Sequence, residues 1–257
     1  MAIDLNCDAG EAFGAWQMGE DATLIPLMTS VNIACGGHAG DPLVMRRTLE
    51  LAARHGVAAG AHPGYPDLAG FGRRALPMPP AEVELWLLAQ MGALAAIARS
   101  LGITLRHVKP HGALYNVAAD EEALAQAIAR AVVAFDAGLV LVALAGSALV
   151  TAGHAAGLRV AEEAFVDRGY DAHGRLVPRG MAGSLLPANG DVAARAVALA
   201  RGQPILAQDG TSLTIQADTL CIHSDTAGAT AIAQVVRAAL GTAGVAIGSF
   251  SQARPTT

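Results

Sequence analysis

The sequence predicts an α/β protein, a seven-stranded (β/α) TIM-like barrel, and three observations carry that reading. A capped helix, a glycine, a short apolar strand and a terminal polar residue recur as one unit along the chain. The strand segments are short and almost continuously apolar, as parallel strands are when helices cover the sheet. No Ser-, Gly- or Pro-rich linker interrupts the chain, so the units belong to one domain, residues 1–250, with a tail at 251–257. A doubly wound sheet shares this periodicity and stays as the alternative.

AIDLNC at 2–7 and VNIAC at 31–35 are the first two strands. In DPLVMRRTLELAARHG, Asp41 caps a helix, Pro42 suits its first turn and Gly56 ends it before a strand at 57–61. The same step returns three times: residues 79–102 lead to a strand at 103–108, 120–138 to one at 139–144, and 147–157 to one at 158–164. Residues 203–217 break the rhythm with a hairpin insertion turning at Asp209 and Gly210, and TLCIHS at 219–224 is the seventh strand. GVAIGS near the carboxyl end is a weak eighth.

Composition narrows the function classes. The 257 residues are 53% hydrophobic and 15% charged, enough apolar material for a large core, and a net charge of −5 offers no basic face to nucleic acid. Asp4 interrupts the amino terminus, so no secretory signal is read there, and the apolar runs are too short to span a bilayer; a cytoplasmic protein without membrane partners is expected. Three widely spaced cysteines, Cys7, Cys35 and Cys221, read as buried reduced thiols.

In a parallel barrel every segment just after a strand opens on one face, where such folds place their sites. Asn6, Asp8 and Glu11 follow strand one, His38 strand two, His62 strand three, and Lys109, His111 and Tyr115 strand four. Glu162, Glu163, Asp167 and Arg168 follow strand six, His223 and Asp225 strand seven. Each alone reads as a structural or solvated residue; the convergence points to a site. Side-chain alternation is taken to turn His107 elsewhere. Asp8, His62 and His111 suit either a divalent metal or a metal-free proton-transfer set, and spacing does not choose. GGHAGDP at 36–42 brings Gly36 and Gly37 to a helix amino end, which holds an anion or is simply a turn capped by Asp41. Lys109 is the only lysine among 17 basic side chains. A compact ammonium there suits a carboxylate, phosphate or oxyanion, and Pro110 stops the strand so that His111 and Tyr115 aim into the mouth. The chain has no GxxxxGK[ST] phosphate loop, so a nucleotide would be held unconventionally or by a partner.

DLNCDAGE, VNIACGGHAGD, GAHPGYPD, HVKPHGALYN, EAFVDRGY and CIHSD together resemble the LamB/YcsF family over residues 3 to about 245. The resemblance implies a barrel akin to the glycoside hydrolase and deacetylase barrels. It also implies ATP-dependent opening of 5-oxo-L-proline (pyroglutamate) to L-glutamate in a 5-oxoprolinase with two partner subunits, B and C, and Mg²⁺ accompanying the ATP. Barrel deacetylases hold a metal through an Asp after strand one and later His residues, which falls here on Asp8, His62 and His111. In the mechanism this suggests, ATP phosphorylates the lactam carbonyl and water attacks it. Asp8 or His62 takes the water's proton, Lys109 and the amides at Gly36 and Gly37 hold the anion, His111 protonates the ring nitrogen, and Arg168 binds the substrate carboxylate. A stand-alone metal-dependent deacetylase or amidohydrolase, or a non-catalytic lactam-binding subunit, are the rival readings.

Overall fold

The computed structural model describes residues 2–186, 190–224, 226 and 228–251. Six parallel strands run in sequence order: β1 (Ala2–Ala9), β2 (Ser30–Ala34), β3 (Ala58–His62), β4 (His107–Val108), β5 (Val140–Leu144) and β6 (Arg159–Phe165). A short antiparallel hairpin, β7 (Ile205–Leu206) with β8 (Ser212–Leu213), stands apart around Asp209 and Gly210. The seventh barrel strand, β9 (Thr219–Cys221), pairs with β6 on one side and β1 on the other, which closes the ring. The barrel is therefore closed, and the doubly wound alternative falls. The weak eighth segment is β10 (Ala246–Ile247), parallel to Ala2 and Ile3 at the foot of β1 and below the point of closure.

The helices foreseen from their caps are α2 (Pro42–Arg54), α3 (Pro80–Ser100), α5 (Glu122–Asp136) and α6 (Ala148–Ala155). The structure adds α1 (Asp21–Leu24) with a 3-10 turn at Ile25–Leu27, α4 (Gly112–Ala118), α7 (Gly190–Ala200) and α8 (Ala229–Thr242). Asp41 caps α2 through its carboxylate, which accepts from the Leu43 and Val44 amides. By length and composition α3 is apolar enough to cross a membrane. Here it packs between α2 and α5 and buries Val83, Leu87, Met91, Leu94 and Ala98 in the core. Each larger apolar chain so buried contributes roughly 1.5–3 kcal/mol.

A polar column fills much of the barrel interior beside a small apolar cluster of Val140, Val142 and Ala161 packed on Phe250, whereas the main apolar core lies between strands and helices. Alternation turns Asp4, Asn6 and Asp8 of β1 inward. The Thr29, Ser30 and Thr219 hydroxyls donate to Asp4. Asn6 donates to Glu163 and Thr219, and Asn32 donates to Asn6 and Asp8. His107 also enters this column, contrary to the sequence expectation. Residues 107 and 109 are two apart and share a face, and the His107 Nε2 hydrogen donates to Asn32 Oδ1 over 2.8 Å. Gly60 makes the room, since a Cβ there would collide with the His107 ring. Burial pushes the His107 pKa down to about 3, so the ring is neutral. The fourth strand is also shorter than the six residues expected, pairing only at His107 and Val108.

Candidate active site

The parallel strands deliver their polar carboxyl ends to one cavity of about 620 Å³. Asp8, Glu11, His62, Lys109, His111, Tyr115, Arg168 and His223 all lie on its wall. Asp8 and Lys109 from facing strands meet at 2.9 Å, and Glu163 approaches the same ammonium at 2.9 Å. Lys109 further donates to Asn6 Oδ1 over 3.4 Å and to Cys221 Sγ over 3.2 Å. Burial alone favours the neutral amine, yet Asp8, followed by Cys221 and Glu163, outweighs it and holds the Lys109 pKa well above its ordinary value. Asp8 is the mirror case: burial would raise its pKa, but His62 and Lys109 hold it well below the usual carboxylate range. At neutral pH the centre of the mouth is thus the Lys109 ammonium paired with the ionised Asp8.

Around this centre the neighbours are fixed. Tyr115 donates its hydroxyl to Glu163 Oε2 over 2.7 Å, and burial followed by that carboxylate keeps the phenol's pKa well above normal. Glu163 is fully buried, so it supports the site from beneath, whereas Glu162 faces outward and accepts from the Gly146 amide. His223 donates from Nδ1 to Asp167 at 3.0 Å, and Asp167 also accepts from Thr226. His62 donates from Nδ1 to the Lys109 carbonyl at 2.7 Å, and His111 donates from Nε2 to the Phe71 carbonyl at 2.9 Å. Their other nitrogens stand 3.0 Å apart. His38 stacks on His111 and lies 3.3 Å from Glu11. The ligand atoms of Glu11, His38, His62 and His111 lie within 4.8 Å of one another, a cluster able to hold a metal ion. Asp8, Cys221 and His223 form a second such group, but there the Lys109 ammonium already occupies the position of a cation.

Not every expected residue reaches the cavity. Asn6 lies beneath it as a hydrogen-bonding strut. Gly36 and Gly37 lie off its wall: the Gly36 amide donates to the Ala39 carbonyl within the turn, and the first amides of α2 belong to Asp41. A Cβ at Gly37 would strike Gln90, so that glycine is there for close packing. Arg168 lies on the wall, but its guanidinium also donates to the Ser184 and Val177 carbonyls. Asp225 falls outside the described residues. Sequence reasoning missed Arg73 and Arg179, which join Arg168 on the cavity wall. Their signal was an arginine set among Gly and Pro in each of the two long loops, FGRRALP and VPRG.

The LamB/YcsF family profile matches residues 3–255. This chain belongs to the LamB/YcsF family. It is 55% identical over 247 residues to the A subunit of 5-oxoprolinase from Chloroflexus aggregans, covering 96% of this chain and 98% of that one. It is 50% identical to the corresponding 5-oxoprolinase chain of Bordetella pertussis, with 96% and 98% covered. The solved structure of the lactam utilization protein from Thermus thermophilus is 47% identical with a TM-score of 0.91, over 97% of this chain and 100% of that one. The barrel fold is thus shared with that protein.

Proposed function

We propose that this chain is the ring-opening subunit of a cytoplasmic ATP-dependent 5-oxoprolinase, working with two partner subunits, B and C, on 5-oxo-L-proline. The observation that carries the reading is the buried Asp8–Lys109–Glu163 set opening into a cavity walled by three guanidiniums, in a chain so similar to proteins named for that activity. A five-membered lactam is a stable amide, so ATP with its Mg²⁺, held with a partner, phosphorylates the carbonyl oxygen and makes phosphate a leaving group. Asp8, ionised and beside the cavity, takes the proton of the attacking water. The adduct breaks its C–N bond as the ring nitrogen takes a proton, which leaves an acyl phosphate that a second water splits to glutamate and phosphate. Lys109 faces the negative charge on the phosphorylated carbonyl, and Arg73, Arg168 and Arg179 favour the phosphate and the substrate carboxylate.

The role foreseen for His111 moves to another histidine. Both His111 nitrogens are engaged, one by the Phe71 carbonyl and one against His62. Among the described residues His223 has Nδ1 committed to Asp167 and lies on the cavity wall, so it is the better donor to the departing ring nitrogen. A divalent ion at the mouth would polarise the carbonyl or the water.

The test mixes the purified chain, with and without the two partner subunits, with 5-oxoproline and ATP and measures glutamate. Glutamate should form only in the complete mixture. Amide or acetyl hydrolysis by the chain alone without ATP would favour the deacetylase reading, and full turnover of an Asp8→Ala complex would leave only a binding role.

A further inference from the structure

We propose that Glu11, His62 and His111 hold one divalent transition-metal ion, with His38 as the positioning residue that orients Glu11. A backbone carbonyl can only accept, so the bonds from His62 Nδ1 to Lys109 and from His111 Nε2 to Phe71 fix where each ring carries its proton. With both rings neutral, His62 Nε2 and His111 Nδ1 therefore present lone pairs to each other across 3.0 Å. Two lone pairs at that distance repel unless a positive charge lies between them. Imidazoles whose far nitrogen is tied to a carbonyl are also the usual form of metal-ligating histidines.

The spacing fits an ion. Tetrahedral bonds of about 2.0–2.1 Å set neighbouring ligand atoms roughly 3.3 Å apart. Here the His62–His111 separation is 3.0 Å and His111 Nδ1 to Glu11 Oε1 is 3.5 Å. The His62 and His111 rings stand at 89°, so their lone pairs converge from separate planes. His38 does not share this geometry: its ring lies 3.5 Å from His111 and within 5° of parallel, which puts an ion in the plane of His111 well outside the plane of His38. Its Nε2 instead points at Glu11 Oε1 over 3.3 Å.

The surroundings hold these rings in place. Phe71 has φ 55, a left-handed conformation rare for an aromatic residue, and it is the Phe71 carbonyl that receives the His111 hydrogen. Gly72 packs so closely that a Cβ there would press on His38 and His111. Two imidazoles and one carboxylate leave a coordination position open, and all three ligands lie on the cavity wall. Asp8, with Oδ1 held by Lys109 and Asn32 and Oδ2 3.4 Å from His62 Nε2, stands beside the site.

This assignment shares the cavity with the lactam reading but is tested without lactam or ATP. The full chain is stripped with a chelator and titrated with Zn²⁺, Mn²⁺ or Co²⁺. Bound metal is counted by elemental analysis, affinity is read by calorimetry, and ligation is read from the visible band of Co²⁺. One ion per chain is expected, lost in Glu11→Gln and His111→Ala, weakened about 10–100-fold in His38→Ala, and accompanied by a higher melting temperature in the wild type. Circular dichroism establishes that each variant is folded, and the near-isosteric Glu11→Gln decides if His111→Ala is not. Absence of stoichiometric binding, or unchanged affinity in Glu11→Gln, overturns the assignment, as would a shared proton that leaves the pair metal-free. A chain that binds no metal yet makes glutamate in the complete 5-oxoproline assay would end this inference and leave the function standing; a chain that binds one ion through these residues but makes no glutamate there would do the reverse.

Discussion

Lys109 shows how one residue organises the mouth. Its ammonium is nearly enclosed, with Asp8 and Glu163 each at 2.9 Å, so removing it leaves two acidic side chains facing one another without their shared cation. Breaking a buried pair of this kind costs about 3–5 kcal/mol, and losing an oxyanion donor typically costs about a hundredfold in rate. Lys109→Met is therefore expected to lower the melting temperature and to cut ATP-coupled glutamate formation at least a hundredfold. It should also shift the acid limb of the pH–rate profile upward, because Lys109 helps to hold Asp8 below its ordinary pKa and its loss makes Asp8 easier to protonate. Near-normal turnover with an unmoved limb would remove the lysine from the mechanism. The sequence pointed to Lys109 as the one lysine in the chain and by its place after the fourth strand. It could not show that Glu163, rather than Glu162, faces the ammonium, which depends on the register of β6 against β9.

At the scale of elements, legibility followed the caps. Asp41, Pro42 and Gly56 announced α2, and Ser147, whose hydroxyl accepts from the Val150 amide, marked α6. α3 and α5 have no side-chain cap and were legible from their length, from Pro80 and from the closing glycines Gly102 and Gly138, whereas α4 and α8 were not placed. α4 begins directly after His111 with no side-chain cap, and α8 begins after Gly228 in a left-handed conformation. Asp41 also ties α2 to the loop after β1, because its second oxygen accepts from the Gly14 amide at 2.8 Å. Replacing a capping Asp by Ala costs about 1 kcal/mol, up to about 2, so Asp41→Ala should lower the urea midpoint without changing the slope of the transition. An unchanged midpoint would mean that water replaces both sets of bonds at no cost. The loops after β3 and β6 bring in Arg73 and Arg179, and the sequence could not place them because no periodicity constrains a long loop.

For the whole molecule, the polar barrel interior makes stability depend on pH through Asp4 at its floor. Burial raises the Asp4 pKa from 3.8 to about 6, against the pull of its hydroxyl partners Thr219, Thr29 and Ser30. The folded chain therefore binds more protons than the unfolded chain between these values. This contribution is complete below pH 3.8 and is lost as pH rises through about 6, a change of about 3 kcal/mol. Asp4→Asn cannot ionise, so its stability relative to the wild type should rise by that order between pH 4 and pH 7 in chemical denaturation; parallel profiles would refute it. The closed α/β ring was legible because its repeat is periodic, but the column inside it was not, since hydrogen bonds such as Asn6 to Glu163 join residues 157 positions apart. The pairing of β10 with the foot of β1 has a practical outcome: both ends of the described chain emerge beneath the barrel. A label attached at Ala2 or Ala246 would therefore sit on the side opposite the cavity.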